Sequence, residues 1–485
     1  MNNEHRIYQL LCILIIVTLL PACSHSATPQ APVTQAMPLS SIQLEPCTLG
    51  GTTALCGTLS VYENRASRSG RMIDLSVAVV KARSPQPASD PIFWLAGGPG
   101  AAAITDIPYA LRVLGQANEQ RDLVFVDQRG VGSSNNLVCD QPIDPANQVQ
   151  ALGDCLKTLG GDPSAYTTAW AMDDVDDVRE ALGYDQINLY GESYGATAAQ
   201  VYLLRHEKNV RTASLAGVSL LDVAMFEQWP LTSQVALDRL FARCNAEADC
   251  HSSYPDLEQE FAGAIARLES GPVALPVNDP STGQPVMLTL ELFNKGVHSL
   301  LVGTESATML PQLIHMVYKE DLNGLAAFIT PLLSAMPQNA QWKIINLEIL
   351  CYEDWAKTRP AETAALTSGS YLRYEDVRAL TVPEEICAVM PPPQPEALYG
   401  PSTHSSVAVL LVNGELDPQD PPENVAEAQQ IYPNSLTLVA PGQAHGYTGS
   451  ACRSVIMADF IDRGSVQGVD AGCLNSVLLP GFVLP

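Results

Sequence analysis

The stretch that most constrains the fold is a G-x-S-x-G pentapeptide at 191–195, which stands between a predicted strand and a predicted helix. Residues that favour strands precede it at 187–190, and helix-compatible residues follow it at 196–206. Glycines in a turn this tight remove the side chains that would collide with the neighbouring strand and helix. The pattern predicts that the Ser193 hydroxyl stands clear of the packing as a nucleophile. Taken alone, it also fits a glycine-rich turn with an idle serine, so the rest of the chain has to decide.

Short apolar runs recur along the chain, and such runs are typical of strands buried on both faces of a parallel sheet. They alternate with amphipathic segments, such as 172–182, that predict helices. The expected fold is therefore α/β, with a mostly parallel, doubly wound sheet. The predicted strands are 57–61, 71–82, 91–96, 122–127, 187–190, 213–218, 407–413 and 436–440.

The region 221–400 differs from the rest, because helical periodicity dominates it and no run of buried strands occurs. We interpret it as a helical cap inserted between two sheet strands. The core is then divided into a first part at 45–220 and a second part at 401–485. The predicted cap helices are 231–245, 255–268, 289–302, 306–334 and 338–356.

The N-terminus predicts export. An apolar run at 10–20 follows a thin basic region and is too short to span a bilayer. The residues L-P-A-C at 20–23 resemble the bacterial lipoprotein box, in which the cysteine is lipidated. We predict a signal peptide at 1–22, lipidation at Cys23 and a flexible tether over 23–44. The expected location is the outer membrane, facing the periplasm or the cell surface. A soluble periplasmic or secreted protein is the alternative.

The net charge of −26 limits the classes of binding partner that the protein can attract through charge. An acidic protein of this kind is not expected to bind nucleic acid or anionic membrane surfaces through charge. Contact with a membrane is expected only through the lipid anchor. The sequence leaves the oligomeric state open.

Twelve cysteines occur, and setting aside Cys12 in the leader and Cys23 leaves an even number. An even count in an exported protein favours disulfide bonds, although sequence alone does not establish their connectivity. The sequence contains no C-x-x-C motif and no Cys/His cluster, so it does not predict a metal site, and no cofactor is implied. Nearest-neighbour pairing, our hypothesis, joins Cys47–Cys56, Cys139–Cys155, Cys244–Cys250, Cys351–Cys387 and Cys452–Cys473.

A nucleophilic serine needs a base and a group that orients the base. Asp417 and His445 each come just after a predicted strand, in the chain order Ser, Asp, His. The carboxyl ends of strands are where doubly wound sheets place their sites. We therefore predict His445 as the base and Asp417 as the orienting acid. Glu415 and Asp420 are neighbouring acids that could be confused with Asp417.

A glycine-rich segment at 97–100 follows the strand at 91–96 and predicts a second part of the site. Backbone N–H groups there are unobstructed by side chains and can stabilise a developing oxyanion. Gly98 is the favoured donor and Gly97 the next. The N–H of Tyr194, at the start of a helix, is the predicted partner donor. A plain turn is the alternative for 97–100.

Together these motifs resemble the prolyl aminopeptidase and tripeptidyl aminopeptidase family of α/β-hydrolases, over roughly residues 45–480. The resemblance implies an α/β-hydrolase fold with a helical cap over the site. It also implies that Ser193 attacks an amide near the free N-terminus of a peptide, with His445 and Asp417 as its partners. Arg129 would be a buried structural charge paired with an acid. The motifs are AGGPG at 96–100, DQRGVGS at 127–133, YGESYG at 190–195, G-x-x-D-P at 414–418 and HG at 445–446.

The chain also departs from the prolyl branch, because Ala96 and Tyr194 stand where that branch has His and Trp. These departures favour the tripeptidyl branch.

An exopeptidase must recognise an ammonium group, which calls for acidic residues in the cap. The segment 351–354 resembles a Cys-x-Glu-Asp element of the family, so Glu353 is the predicted ligand of the substrate amine. Glu192, which replaces a commoner Gly, is the second candidate. A solvated acid on a cap helix is the alternative for Glu353.

The leading hypothesis is therefore a secreted serine exopeptidase that acts on peptides with a free N-terminus. A carboxylesterase acting on small acyl esters or lipids would use the same machinery and is the first alternative. A non-catalytic binding lipoprotein with this fold is the second. An epoxide hydrolase would need an acid in place of Ser193, so that function is excluded.

Overall fold

A computed structural model describes most of the chain. The predicted signal peptide, the lipidation site Cys23 and the tether up to residue 40 lie outside the described residues and stay predictions. The described residues are 41–139, 147–280, 283–335, 342–359, 363, 368–445 and 450–485.

A nine-stranded sheet forms the centre of the fold, in the order β1-β2-β3-β5-β4-β6-β7-β8-β9. The six strands from β5 to β9 in this order are mutually parallel. The first three strands pair antiparallel, and β3 is antiparallel to β5. The predicted mostly parallel sheet is confirmed. The strands are β1 Glu45–Leu49, β2 Thr52–Tyr62, β3 Met72–Val80, β4 Ile92–Leu95, β5 Leu123–Val126, β6 Ile187–Glu192, β7 Val210–Ala216, β8 Ala408–Gly414 and β9 Ser435–Ala440.

Helices cover both faces of this sheet. The α-helices are α1 Ile107–Leu114, α2 Gln148–Thr158, α3 Thr168–Ala181, α4 Tyr194–His206, α5 Met225–Ala246, α6 Ala248–Ser253, α7 Leu257–Glu269, α8 Leu290–Leu301, α9 Thr304–Ala307, α10 Leu310–Tyr318, α11 Leu322–Ala335, α12 Ile344–Ile349, α13 Tyr374–Leu380, α14 Glu384–Cys387, α15 Ala428–Ile431 and α16 Ser450–Arg463. A π-helical turn, Leu350–Asp354, continues α12. Short 3-10 helices are Ala103–Asp106, Ala117–Glu119, Pro163–Ala165, Glu207–Asn209, Trp355–Lys357, Pro395–Ala397, Pro422–Val425 and Gly472–Ser476.

The central strands are buried on both sides because consecutive side chains point to opposite faces of the sheet. In β4, Phe93 packs in one apolar cluster and its neighbour Trp94 in the other. The first cluster includes buried residues of α3 and α4, and the second includes those of α1 and α16. This two-sided burial explains why the central strands read as unbroken apolar runs. Within the described ranges, no helix combines the length and the apolar character that crossing a membrane requires.

The chain between β7 and β8 is mostly helical, from α5 to α14. An antiparallel pair of strands, Val273–Asn278 with Pro285–Leu288, interrupts the helices. The sequence does not predict this pair, because its strands are only partly buried and lack an apolar run. A second short pair joins Trp342–Lys343 to Val138–Cys139 and so ties this region to the chain that follows β5.

The periodic segment 306–334 is divided in the structure, because α10 ends at Tyr318 and α11 begins at Leu322. Between them Glu320 has a φ of 53°, which a continuous helix cannot contain. The Asp321 side chain then accepts the N–H of Gly324 at 3.0 Å and caps the new helix. Apolar periodicity alone does not reveal this break.

Five disulfide bonds join the cysteines that the nearest-neighbour hypothesis pairs. They are Cys47–Cys56, Cys139–Cys155, Cys244–Cys250, Cys351–Cys387 and Cys452–Cys473.

Candidate active site

Ser193 lies in the turn between β6 and α4, with a φ of 58° and a ψ of −131°. This backbone conformation is unfavourable for any residue with a side chain. A Cβ atom on Gly191 would lie 2.1 Å from the carbonyl oxygen of Gly195, and one on Gly195 would lie 2.0 Å from that of Leu95. Both positions therefore require glycine, as the sequence pattern predicts. The turn holds Ser193 between the strand and the start of the helix.

Tyr194 begins α4, so its N–H is among the four amides that have no partner within the helix. This N–H is therefore available for the predicted role as an oxyanion donor. The side chain of Tyr194 is buried, and its hydroxyl is 2.9 Å from Thr168 Oγ1 and donates to Gln128 Oε1 at 3.3 Å. The ring therefore has a packing role, and only the backbone is available to the reaction.

Asp417 and His445 follow the adjacent parallel strands β8 and β9, and their side chains are in contact. His445 Nδ1 is 2.8 Å from Asp417 Oδ2. The other carboxylate oxygen of Asp417 accepts the N–H groups of Gln419 and Asp420, each at 2.9 Å. Three hydrogen bonds thus fix a buried carboxylate against the ring. With Nδ1 held by Asp417, Nε2 is the nitrogen through which His445 could act as the predicted base.

A second acid stands beside this pair. Asp420 Oδ2 is 3.6 Å from His445 Nδ1, which makes Asp417 the closer of the two acids. Burial alone would lower the pKa of His445. The negative charges of Asp417, Asp420 and Glu192 have the larger opposite effect, so that the pKa is raised to about 9. Burial raises the pKa of Asp420 to about 7. Glu415, the other acid considered from sequence, accepts the N–H of Gly442 at 2.8 Å instead.

The loop 97–100 passes directly beside Ser193. A Cβ atom on Gly97 would lie 3.4 Å from Ser193 Cβ, and Gly98 has a φ of 117°. The loop is closed by a hydrogen bond from Ala101 N–H to the carbonyl oxygen of Gly97 at 3.3 Å. Its tightness leaves no room for a side chain at Gly98, where a Cβ atom would lie 2.9 Å from Gly100 N. The predicted oxyanion loop and the predicted nucleophile are therefore neighbours.

Ser193 and Gly98 open onto a cavity of about 260 Å³. The cavity wall is formed largely by the region between β7 and β8, and it combines acids with apolar groups. Its acids are Asp354, from the π-helical turn, and Asp420. Its apolar residues are Met225, Phe226, Trp229, Leu350 and Leu380.

The two acids that sequence reasoning assigned to substrate binding are engaged elsewhere. Glu353 accepts the N–H of Thr168 at 2.8 Å and its hydroxyl at 2.5 Å, at the start of α3. Glu192 accepts from Arg453 Nη2 at 2.5 Å and from the Tyr109 hydroxyl at 3.0 Å. Neither acid is among the described residues that line the cavity.

Asp354, next to Glu353, is the acid of this turn that faces the cavity. Sequence reasoning missed it, although it belongs to the same Cys-x-Glu-Asp element. The rotation of successive residues around a helix decides which acid faces inward, and a π-helical turn changes that rotation. Burial raises the pKa of Asp354 to about 6, and the ammonium of Lys357 lowers it.

Two family models match the chain. The alpha/beta hydrolase fold matches residues 90–245, and the TAP-like protein family matches residues 375–473, which contain Asp417 and His445. The chain belongs to the α/β-hydrolases, and its C-terminal part is similar to the TAP-like proteins.

Individual relatives of this hydrolase are distant. The protein YuaR of Escherichia coli (strain K12) is 25% identical over 262 residues, which cover 49% of this chain and 52% of YuaR. A proline iminopeptidase of Heyndrickxia coagulans is 25% identical over 187 residues, which cover 36% of this chain and 50% of that protein. The match thus spans about half the length of these curated relatives. A crystal structure of a proline iminopeptidase from Mycobacterium smegmatis is 17% identical with a TM-score of 0.40, over 84% of this chain and 98% of that one.

Arg129 of the hydrolase is a fully buried charge. Its guanidinium donates to both carboxylate oxygens of Asp174, at 2.7 and 2.8 Å. It also donates to the carbonyl oxygens of Glu63 and Ala165, each at 2.8 Å. The structure thereby identifies Asp174 as the acid that pairs with Arg129. In the part of the chain that the structure describes, no group of three His, Cys, Asp or Glu side chains could hold a metal ion.

Proposed function

We propose that this hydrolase is a serine exopeptidase that cleaves amide bonds near the free N-terminus of peptides. The observation that carries the proposal is the cavity beside Ser193, which combines the partly buried acid Asp354 with an apolar wall. The N-terminus of a peptide offers an ammonium group to the acid and side chains to the wall. Relatives that are named proline iminopeptidases support the same class of substrate.

In the proposed reaction, Ser193 Oγ attacks the carbonyl carbon of the substrate while His445 Nε2 takes its proton. Asp417 holds the ring and stabilises the imidazolium that forms. The N–H groups of Tyr194 and Gly98 bind the oxyanion. The imidazolium then gives its proton to the leaving amine, which departs and leaves an acyl-enzyme. Water hydrolyses this ester with His445 again as the base, and Ser193 recovers its proton.

Asp354 is the acid that we propose for the substrate ammonium group, in place of Glu353. It faces the cavity, whereas Glu353 accepts two hydrogen bonds from Thr168. Lys357 Nζ lies 4.0 Å from Asp354 Oδ1, beyond hydrogen-bond distance, so this pair leaves the carboxylate able to accept a closer donor. A bound ammonium would therefore add a charge-assisted hydrogen bond in a partly dehydrated cavity, where such bonds are strong.

The test uses peptide amides with a chromogenic leaving group, each prepared with a free and with an acetylated N-terminus. We expect turnover of free-amine substrates and its loss in Ser193→Ala. Asp354→Asn is expected to raise KM about 10- to 100-fold for the free-amine substrates, since it removes a hydrogen bond between charged groups. Glu353→Gln is the matched control, and it should change KM less.

Other outcomes would assign a different function. Hydrolysis of p-nitrophenyl esters without amide turnover would favour a carboxylesterase, to which the apolar side chains of the cavity wall are suited. No turnover of either substrate, and no labelling of Ser193 by a fluorophosphonate, would leave the non-catalytic binding lipoprotein.

We also propose that the hydrolase is exported and anchored through a lipid on Cys23. Five disulfide bonds support export, because such bonds persist in oxidising compartments. In a bacterial host, the wild type should fractionate with membranes and Cys23→Ser should be soluble. Equal fractionation of both proteins would contradict the anchor.

A further inference from the structure

Two side chains from the region between β7 and β8 hold the carbonyl groups of the glycine loop beside Ser193. Asn346 Nδ2 donates to the carbonyl oxygen of Pro99 at 3.0 Å. Lys343 Nζ donates to the carbonyl oxygen of Gly100 at 2.9 Å. The loop belongs to the core, directly after β4, whereas both donors lie near the start of α12. Two successive carbonyls are therefore held from outside the core.

The contact is close and firmly anchored. A Cβ atom on Gly100 would lie 3.5 Å from Lys343 Cδ and 3.7 Å from Asn346 Cβ, so these side chains pack directly on the backbone of the loop. Lys343 pairs with Val138 in the short antiparallel ladder, next to Cys139. Cys139 is bonded to Cys155 on α2. The strand pair and the disulfide bond thus anchor the segment that carries both donors to the chain that follows β5.

The held carbonyls influence the direction of the oxyanion donor. The carbonyl of Gly97 accepts from Ala101 N–H across the turn that contains Pro99 and Gly100. The peptide unit that carries this carbonyl also carries the N–H of Gly98. Because C=O and N–H point in opposite directions in a trans peptide, a shift of the turn would rotate the Gly98 N–H away from the oxyanion.

We propose that Asn346 and Lys343 are positioning residues for the oxyanion hole, which act through the carbonyls of Pro99 and Gly100. The inference rests on the proposed serine-hydrolase function. It means that the helical region contributes to the chemical step as well as to the cavity. Asn346 is the more important of the two, because Lys343 is an exposed side chain with more freedom to move.

The test compares Asn346→Ala and Lys343→Met with the wild type in three assays. These assays are steady-state cleavage, inhibition by a peptidyl boronic acid, and the rate of fluorophosphonate labelling. The boronic acid forms a reversible bond between boron and Ser193 Oγ, which places an oxygen at the oxyanion site. For Asn346→Ala we expect kcat to fall about tenfold, as for the loss of one hydrogen bond in the transition state. Because Asn346 also lines the cavity, KM can change as well, but by a smaller factor than kcat. The boronic acid Ki and the labelling rate should change by the same factor.

Lys343→Arg retains a donor and should recover most of the activity that Lys343→Met loses. Lys295→Met, on α8, is the matched control and should behave as the wild type. A rise of KM alone, or a lower melting temperature with unchanged kcat, would overturn the proposal. Labelling depends on the serine, its base and the oxyanion hole but not on a peptide subsite, so it tests these two residues even if no peptide in the panel is cleaved. Peptide inactivity would then count against the exopeptidase alone.

Discussion

His445, the proposed base, lies beside two carboxylates where an orienting acid alone would supply one. Asp417 accounts for the hydrogen bond at 2.8 Å, while Asp420 adds a second carboxylate 3.6 Å from the same nitrogen. Both charges favour the imidazolium and hold the pKa of His445 above its usual value, at about 9. A base with a raised pKa is protonated at neutral pH and becomes available as the pH rises.

We predict that kcat/KM rises with pH through an acidic limb above pH 6.5, the ordinary pKa of a histidine. Asp420→Asn removes one of the charges that stabilise the imidazolium, so the pKa of His445 should fall. The acidic limb should then move down by about one pH unit. The pH dependence of kcat/KM for the two proteins measures this shift. Glu423→Gln, an exposed acid paired with Arg239, is the control. A limb that stays in place would show that Asp420 does not act on His445.

At the residue scale, the sequence could predict which residue types the site needs but not where each side chain points. Asp417 and His445 come after strands, and a parallel sheet brings strand ends together, so their contact follows from the pattern. The choice between Glu353 and Asp354 depends on the phase of a π-helical turn. The role proposed for Asn346 depends on how a distant segment packs on the glycine loop. Neither the phase of the π-helical turn nor this packing produces a local sequence pattern.

At the element scale, the turn from β6 to α4 is the strained joint of the fold. Ser193 has a φ of 58°, although it has a side chain, and glycines at 191 and 195 allow the strand and helix to approach. Such strain costs on the order of 1–3 kcal/mol, and the packing around the turn has to maintain it.

The strain predicts an order of stability for two inactive variants. Ser193→Gly should be more stable than Ser193→Ala by about 1 kcal/mol, because glycine relieves the strain but adds freedom to the unfolded chain. Thermal or urea unfolding of the two variants measures the difference. The same pair of substitutions at Thr197, inside α4, should give the opposite order, since glycine weakens a helix by about 1 kcal/mol relative to alanine. A less stable Ser193→Gly would contradict the strain.

Other elements show why boundaries are harder to predict than element types. Buried strands such as β4 and β8 follow from apolar runs, because burial on both faces leaves no polar position. The break between α10 and α11 rests on one residue with a positive φ and one capping side chain. The strand pair Val273–Asn278 and Pro285–Leu288 forms through pairing between segments, which single-segment periodicity does not contain.

At the scale of the whole molecule, disulfide bonds hold the helical region near the site. Cys351 lies in the π-helical turn Leu350–Asp354, whose two ends line the cavity, and it is bonded to Cys387 at the end of α14. The bond spans 36 residues, against 6 for Cys244–Cys250. A cross-link over a longer loop removes more freedom from the unfolded chain.

We therefore predict that replacing Cys351 and Cys387 by alanine lowers the free energy of unfolding by about 4 kcal/mol, against about 2 kcal/mol for Cys244 and Cys250. Cys244, Cys250 and Cys351 are buried and Cys387 is partly buried, so we expect loop length to contribute most of the difference. Only the first replacement loosens the turn that carries Asp354, so it alone should also raise KM for free-amine peptides. Urea unfolding without reductant and steady-state kinetics measure both effects. Equal losses of stability, or an unchanged KM in the first variant, would show that this bond does not hold the turn in place.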